Sequence, residues 1–84
     1  MSKAEKLLQR ATNSRTNLQF EDLCSLAECY GRVFQRQSGS HHIYMHPDCG
    51  NRLGSMMNFQ PRGGKAKPSQ VTQLLNAIEA LENG

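Results

Sequence analysis

The densest group of chemically active side chains lies in the segment 39–46, which reads GSHHIYMH. All three histidines of the chain, His41, His42 and His46, fall within its last six residues. Histidine exchanges a proton near neutral pH, so a histidine beside phosphate-binding cations can serve as a general base. In RNA cleavage such a base deprotonates a ribose 2′-hydroxyl, which attacks the neighbouring phosphate, and Lys or Arg stabilises the charge on the phosphate oxygens. The spacing alone is more typical of an exposed strand that uses histidine, so the catalytic interpretation needs support from other features.

A basic segment, 60–68, is the second such feature and reads QPRGGKAKP. Arg62, Lys65 and Lys67 place three cations within six residues, just before a predicted helix. Glycines let a backbone approach phosphate closely, and a helix N-terminus favours anions. The segment lacks the GxxxxGK[ST] pattern of nucleotide-binding loops, which excludes an ATPase of that class. A solvated flexible loop is the alternative interpretation.

A metal site is a weaker interpretation of the same histidines. His42 and His46 lie about 13 Å apart along an extended strand, whereas one tetrahedral ion holds its ligands at ~2.0–2.3 Å. Cys49 would have to swing back to join them, so we expect no metal. Cys24 and Cys29 are five positions apart on a predicted helix, without a paired-cysteine motif. We expect them to pack as small apolar residues.

Length and composition limit the possible classes of protein. The chain has 84 residues, enough for one domain with a thin core, which excludes a large cofactor-binding architecture. An odd cysteine count of three favours a reducing compartment. Without an apolar stretch of about 18 residues or a signal-peptide core, we expect a cytoplasmic protein that spans no membrane. The net charge of +3 is concentrated in a basic middle segment, 38–68, ahead of an acidic tail, which indicates either an anion-facing surface or ordinary solvation.

The hydrophobic periodicity predicts the elements that must position these residues. Apolar residues at spacings of three and four predict helices over 3–12, over 20–30 with Gly31 ending the helix, and from Ser69 to about Leu81. Alternation predicts strands over 32–37, 41–46 and 56–60, with a hairpin turn at 38–40 and a turn cluster at 47–51. The order is α-α-β-β-β-α, an α+β fold with a three-stranded antiparallel sheet and helices on one face.

The other face of such a sheet is open and can bind a polymer such as RNA. Alternation along the second strand places His42, Tyr44 and His46 on one face and His41, Ile43 and Met45 on the other. We expect the face with His42 and Tyr44 to be the open one. On the third strand we expect Met57 and Phe59 to share a side.

The segment 37–47, QSGSHHIYMHP, resembles the GSHH–hydrophobic–aromatic…HP signature of the HicA family. These are small bacterial mRNA interferases of type II toxin–antitoxin systems. The segment 58–68, followed by a helix with Val71 and Leu74, is similar to the third strand and final helix of one branch, and the helix 20–30 matches the family's first core helix. The resemblance covers about residues 18–82. It implies an N-terminal helical extension over 1–17 and a HicA-like domain over 18–84.

The resemblance implies a fold similar to a double-stranded-RNA-binding domain. It also implies metal-independent endoribonuclease action on mRNA, with no cofactor, neutralised by a HicB-type antitoxin protein that covers the active site. The catalytic histidine of the family lies in the GSHH segment. Family frequency favours His41, whereas strand alternation favours His42, so both remain candidates.

We therefore expect a stress-related toxin that cleaves mRNA with His41 or His42 as the general base. The expected RNA-binding residues are Arg36, Ser40, Tyr44, Arg62, Lys65 and Lys67. The alternatives are a non-catalytic RNA-binding module that uses the same sheet and loop, and an inactive relative that acts through a protein partner.

Overall fold

The computed structural model describes residues 2–46 and 56–83, with side chains up to residue 80. The helices are α1 (Lys3–Asn13), α2 (Phe20–Cys29) and α3 (Pro68–Asn83), and the strands are β1 (Val33–Ser38), β2 (His41–Met45), β3 (Met56–Phe59), β4 (Pro61–Arg62) and β5 (Lys65–Ala66). The predicted α+β class and α-α-β-β-β-α order are confirmed, with β4 and β5 as additions. The predicted turn at 47–51 lies outside the described residues.

Local capping explains where the first two helices begin and end. The Ser2 hydroxyl caps α1 by accepting a hydrogen bond of 3.2 Å from the backbone N–H of Glu5. Glu21 and Asp22 lie in the first turn of α2, where the helix dipole favours negative charge. Gly31 follows that helix with φ of +92°, a conformation that glycine adopts readily. No helix in the described ranges is both long enough and apolar enough to cross a membrane.

The main sheet has the strand order β1-β2-β3, and both pairings are antiparallel. Gly39 and Ser40 form the turn between β1 and β2, as predicted. A register shift between Phe34 and Arg36 leaves Gln35 as the extra residue of a bulge. The register sets side chains in rows across the sheet, with Phe34, Tyr44 and Met57 in one row and Arg36, Ile43 and Asn58 in a row on the opposite face.

The row with Tyr44 faces the helices, so the expectation that Tyr44 and His42 lie on the open face is wrong. Tyr44 is 4% exposed and its ring centroid lies 5.6 Å from that of the fully buried Phe59. Its hydroxyl is hydrogen-bonded to Cys24 of α2. The ring therefore buries its apolar surface while its polar end keeps a partner, which favours the interior. Met57 and Phe59 share this side, as predicted.

All three helices contribute to one core on that side of the sheet. From α1 it receives Leu7 and Ala11, which pack with buried residues of α2, β3 and α3. An ion pair of 3.1 Å between Arg10 and Asp22 also joins α1 to α2. The helix of the predicted N-terminal extension therefore shares its core with the rest of the chain.

Most of the basic segment 60–68 forms a short hairpin of β4 and β5, so the interpretation of this segment as a flexible loop is wrong there. Gly63 and Gly64 form its turn with φ of 60° and 79°, and two consecutive residues of positive φ are typical of the tightest hairpin turns. The backbone N–H of Ala66 donates to Leu18 at 2.9 Å, and that of Phe20 donates to Gly64 at 3.1 Å. These bonds fasten the hairpin to the start of α2.

Candidate functional site

His41 begins β2 on the face of the sheet away from the core. It pairs with Ser38 of β1, and the antiparallel register of β2 and β3 places Gln60 opposite it, one residue beyond β3. The half-buried imidazole lines a groove of about 630 Å³ between β3 and α3. His41 is therefore accessible from this groove.

Asn58 and Gln60 contact this imidazole, and Lys67 and Gln70 in turn contact Gln60. We call these four residues and His41 the His41 network. The amide nitrogen of Gln60 lies 2.7 Å from His41 Nε2, and Asn58 Oδ1 lies 3.0 Å from His41 Nδ1. The Lys67 ammonium donates to Gln60 Oε1. Gln70 Oε1 accepts a bond of 2.8 Å from the backbone N–H of Gln60. The network thus links the start of β2 to the end of β3 and the start of α3.

Lys67 decides the direction of the hydrogen bonds in the network. An ammonium group only donates, so the atom of Gln60 that faces it must be the carbonyl oxygen, and the amide nitrogen then faces His41. That nitrogen also only donates, and it lies closer to His41 Nε2 than to Nδ1, at 2.7 against 2.9 Å, so we place the lone pair on Nε2. We accordingly assign the proton of the neutral ring to Nδ1.

Asn58 completes this assignment. With the proton on Nδ1, the ring donates to Asn58 Oδ1. The Asn58 and Gln60 amide nitrogens also lie close to Nδ1, at 2.8 and 2.9 Å. The assigned tautomer gives Nε2 a donor at 2.7 Å and Nδ1 an acceptor at 3.0 Å.

His42 lies on the opposite face and packs among aromatic rings. Its centroid is 4.8 Å from that of Phe20 in an edge-to-face contact and 6.4 Å from that of Phe34. Its Nδ1 lies 3.1 Å from the carbonyl oxygen of Ser40. These contacts place His42 in the packing between β2 and α2, away from the His41 network.

The predicted loop cations separate into two positions. Lys67 belongs to the His41 network, whereas Lys65 donates a bond of 3.1 Å to Asn17, before α2. Arg62 is exposed opposite Lys65 on the hairpin. The hairpin cations therefore extend the positive charge from Lys67 toward the α1–α2 connection.

The remaining predicted RNA-binding residues differ in exposure. Arg36 lies on the open face in the row of Ile43, and Ser40 is exposed in the turn before His41. Tyr44 is buried, and its burial raises the pKa of its phenol. The thiol of Cys24, which it contacts, has a pKa raised by its own partial burial. The expected exposure of Tyr44 is wrong, and a side chain that is 4% exposed leaves little surface for the predicted RNA contact.

Helix α3 adds a favourable electrostatic feature beside the network. It begins at Pro68, directly after Lys67, and its first turn carries no acidic residue. The partial positive charge of a helix N-terminus attracts anions such as phosphate. Lys67 and this helix end therefore act in the same direction on a phosphate near His41.

In the described ranges 2–46 and 56–83, no three His, Cys, Asp or Glu side chains come together in a way that could hold a metal ion. Two of the three metal ligands considered in the sequence analysis, His42 and His46, lie within these ranges, and His46 is buried beside Gly31. Cys49 lies outside the described residues.

Sequence reasoning missed the carboxamides of Asn58, Gln60 and Gln70. Amides carry no charge and match no catalytic motif, so composition gives them no signal. The antiparallel register could have found Gln60, because pairing His42 with Phe59 sets Gln60 opposite His41.

Scans of protein-family models, of curated proteins and of solved structures return no match to this chain.

Proposed function

We propose that this protein is an endoribonuclease that cleaves mRNA without a metal ion, with His41 as the general base. The observation that carries the proposal is that His41 lines the groove and is linked through the Gln60 amide to the Lys67 ammonium, which brings a candidate base and a cation together. The resemblance of the segment 37–47 to HicA toxins supports the same activity.

The reaction uses groups that the His41 network supplies. Nε2 of His41 takes the proton of a ribose 2′-hydroxyl, and the 2′-oxygen forms a bond to the adjacent phosphorus as the bond from phosphorus to the 5′-oxygen breaks. The departing 5′-oxygen takes a proton from water. Asn58 holds the proton of Nδ1 and so stabilises the imidazolium, in the manner of an orienting residue in a catalytic triad. Lys67 stabilises the phosphate oxygens.

Gln60 links the binding of a phosphate to the exposure of the general base, His41. Its amide occupies Nε2 while Lys67 holds its carbonyl oxygen. A phosphate that draws Lys67 away removes the contact that orients the amide, which can then turn from the ring. The 2′-hydroxyl takes its place as the donor to Nε2.

The biological part of the proposal comes from the resemblance. The protein acts as the toxin of a type II toxin–antitoxin system in the cytoplasm. A HicB-type antitoxin neutralises it by covering the groove beside His41. Arg36, Arg62 and Lys65 extend the RNA contact beyond the network.

Cleavage of a purified transcript in the presence of EDTA tests the activity. We expect fragments that end in a 2′,3′-cyclic phosphate, and we expect a transcript with 2′-deoxyribose at the cleaved position to stay intact. His41→Ala should slow the reaction by about 10²–10⁴-fold, and His42→Ala is the matched control. Cleavage that persists at the wild-type rate in folded His41→Ala protein would contradict the proposal.

A second candidate function is RNA binding without cleavage. It is favoured by one observation, since both ring nitrogens of His41 are occupied by amide partners. In that case RNA binding should weaken with salt in proportion to the number of phosphate contacts, and the bound RNA should stay intact. Recovery of uncleaved RNA from a salt-sensitive complex distinguishes this function from the first.

A further inference from the structure

The groove beside His41 has a wall of carboxamides. They are Asn58, Gln60, Gln70, Gln73 and Asn76, and the rest of the lining is His41, Ser69 and apolar side chains of β3 and α3. No Asp, Glu, Lys or Arg lines the groove among the described residues. Its chemistry is therefore that of an uncharged ligand with several hydrogen-bonding positions.

We propose that this groove binds an unpaired nucleobase of single-stranded RNA next to the phosphate held at Lys67. The inference rests on the proposed function and adds the part of the substrate that the groove recognises. Carboxamides present a donor and an acceptor side by side, which is the pattern on the edges of nucleobases. The Watson–Crick edges are accessible in single-stranded RNA, whereas in an A-form duplex they are paired and the narrow major groove excludes side chains.

The helix α3 aligns the two amides that are free to read a base. Gln73 and Asn76 are three positions apart, so they lie on the same helix face. Both are exposed, and neither amide has a hydrogen-bond partner among the described residues. In contrast, Gln60 and Gln70 are already engaged in the His41 network.

Apolar side chains supply the surface for the face of the base. Met57 and Ala77 line the groove, and Met56 at its rim is 62% exposed, although it is a large hydrophobic residue. The volume of about 630 Å³ lies within the usual range of small-ligand pockets. The groove therefore combines an apolar surface with amides that fix orientation.

The position of the groove relative to the cations matches a nucleotide. Its uncharged wall ends at Gln60, and Lys67 and the start of α3 lie immediately beyond that residue. A base in the groove thus directs its phosphate toward the positive groups and its ribose toward His41. This arrangement makes the groove the place where the enzyme selects the base beside the bond that it cleaves.

Binding of RNA that cannot be cleaved tests the proposal apart from catalysis. The probes are short 2′-O-methyl uridine oligonucleotides whose central base is uracil, adenine, cytosine or guanine. Fluorescence anisotropy measures the affinity of each probe for three proteins. These are the wild type, the double variant Gln73→Ala/Asn76→Ala, and the matched control Gln9→Ala/Asn13→Ala, which removes two exposed amides from α1. Alanine favours helix in both double variants, and circular dichroism checks their folding.

We expect the wild type to distinguish the best from the worst central base by about tenfold, the size of one good amide–base interaction. The groove variant should lose this preference while keeping its salt-dependent affinity, and the α1 control should retain it. In the complex, the side-chain amide resonances of Gln73 and Asn76 should shift.

Equal affinity of the wild type for all four oligonucleotides would overturn the proposal, and so would an unchanged preference in the groove variant. The absence of binding would overturn it too and would leave the groove to a protein partner. Base preference without cleavage of ordinary RNA would instead refute the endoribonuclease and leave the base site standing. The two proposals can therefore fail separately.

Discussion

His41 and His42 are neighbours in the chain, but their side chains lie on opposite faces of β2. The first lies in the groove between β3 and α3, with Gln60 at 2.7 Å. The second packs edge-to-face on Phe20 of α2, with ring centroids 4.8 Å apart. The same residue type therefore has two different chemical environments, which makes the two histidines natural controls for each other.

Alanine substitutions at these two positions should affect different properties, the cleavage rate at position 41 and the stability of the fold at position 42. His41→Ala should lower the cleavage rate by about 10²–10⁴-fold, the usual contribution of a general base, with little change in stability. His42→Ala should leave cleavage in place but lower the free energy of unfolding by about 0.5–1.5 kcal/mol, because it loses an aromatic contact. Gel assays of RNA cleavage and urea denaturation measure the two effects. The reverse pattern would transfer the catalytic role to His42.

Gln60→Glu should change the tautomer of His41. A carboxylate only accepts hydrogen bonds, so it can satisfy both Lys67 and a proton on Nε2. The proton should then move from Nδ1 to Nε2, and cleavage should slow by about tenfold or more because Nε2 no longer carries the lone pair that accepts the proton of the 2′-hydroxyl. Nitrogen-15 spectra of the imidazole, recorded in alkaline solution where histidine is neutral, report the tautomer directly. Wild-type protein with its proton on Nε2 would contradict the assigned network.

Lys67→Gln and Lys65→Gln remove the same charge from positions two residues apart. Each should reduce the slope of log affinity against log salt by about one, as expected for one phosphate contact. Only Lys67→Gln should also lower kcat at saturating RNA, because Lys65 is held at Asn17, 3.1 Å away, and not at Gln60. Equal losses of kcat in the two variants would show that charge alone, and not the contact with Gln60, determines the rate.

The buried Cys24–Tyr44 pair should make the fold sensitive to alkali. Burial raises the pKa of the Cys24 thiol above its ordinary 9.0 and that of the Tyr44 phenol above its ordinary 10.0. At a pH between the pKa of the unfolded chain and that of the folded protein, each group keeps its proton only in the folded protein. The free energy of unfolding should therefore fall as pH rises through about 9 and onward. In Tyr44→Phe the fall above pH 10 should become shallower, and stability at neutral pH should drop by about 1 kcal/mol for the lost hydrogen bond. Urea titrations across this pH range measure the slope, and an identical slope in Tyr44→Phe would exclude the phenol as its source.

Most of the fold could be predicted, because strong local signals agree with the packing. Gly31 marks the end of α2 and adopts the positive φ that such a position requires. The Gly39–Ser40 turn fixes the β1–β2 register, and the stripe containing Val71, Leu74 and Ile78 buries α3 against the core.

The faces of β2 could not be read from that strand alone. The two sets of alternating side chains each contain histidine and less polar residues, so hydrophobicity does not indicate which face of β2 is buried. The choice depends on Phe59, which pairs with His42 and packs on Tyr44, and on Cys24, which accommodates the hydroxyl. Those contacts come from other elements. The Gly63–Gly64 pair was a usable local signal for the β4–β5 hairpin, since such pairs favour tight hairpin turns.

The backbone N–H of Ala66 donates to Leu18 and that of Phe20 donates to Gly64, and these bonds join segments that lie far apart in the chain. Closing so long a loop costs chain entropy, and contacts of this kind slow folding more than local ones do. We expect the helices and the β1–β2 hairpin to form before this closure. The Gln60 amide reaches His41 from 19 residues along the chain, so His41 is oriented only after β3 has paired with β2. If the proposed activity holds, a chain that has not yet made this pairing, including one that is still being synthesised, lacks the arrangement needed to cleave the message that encodes it.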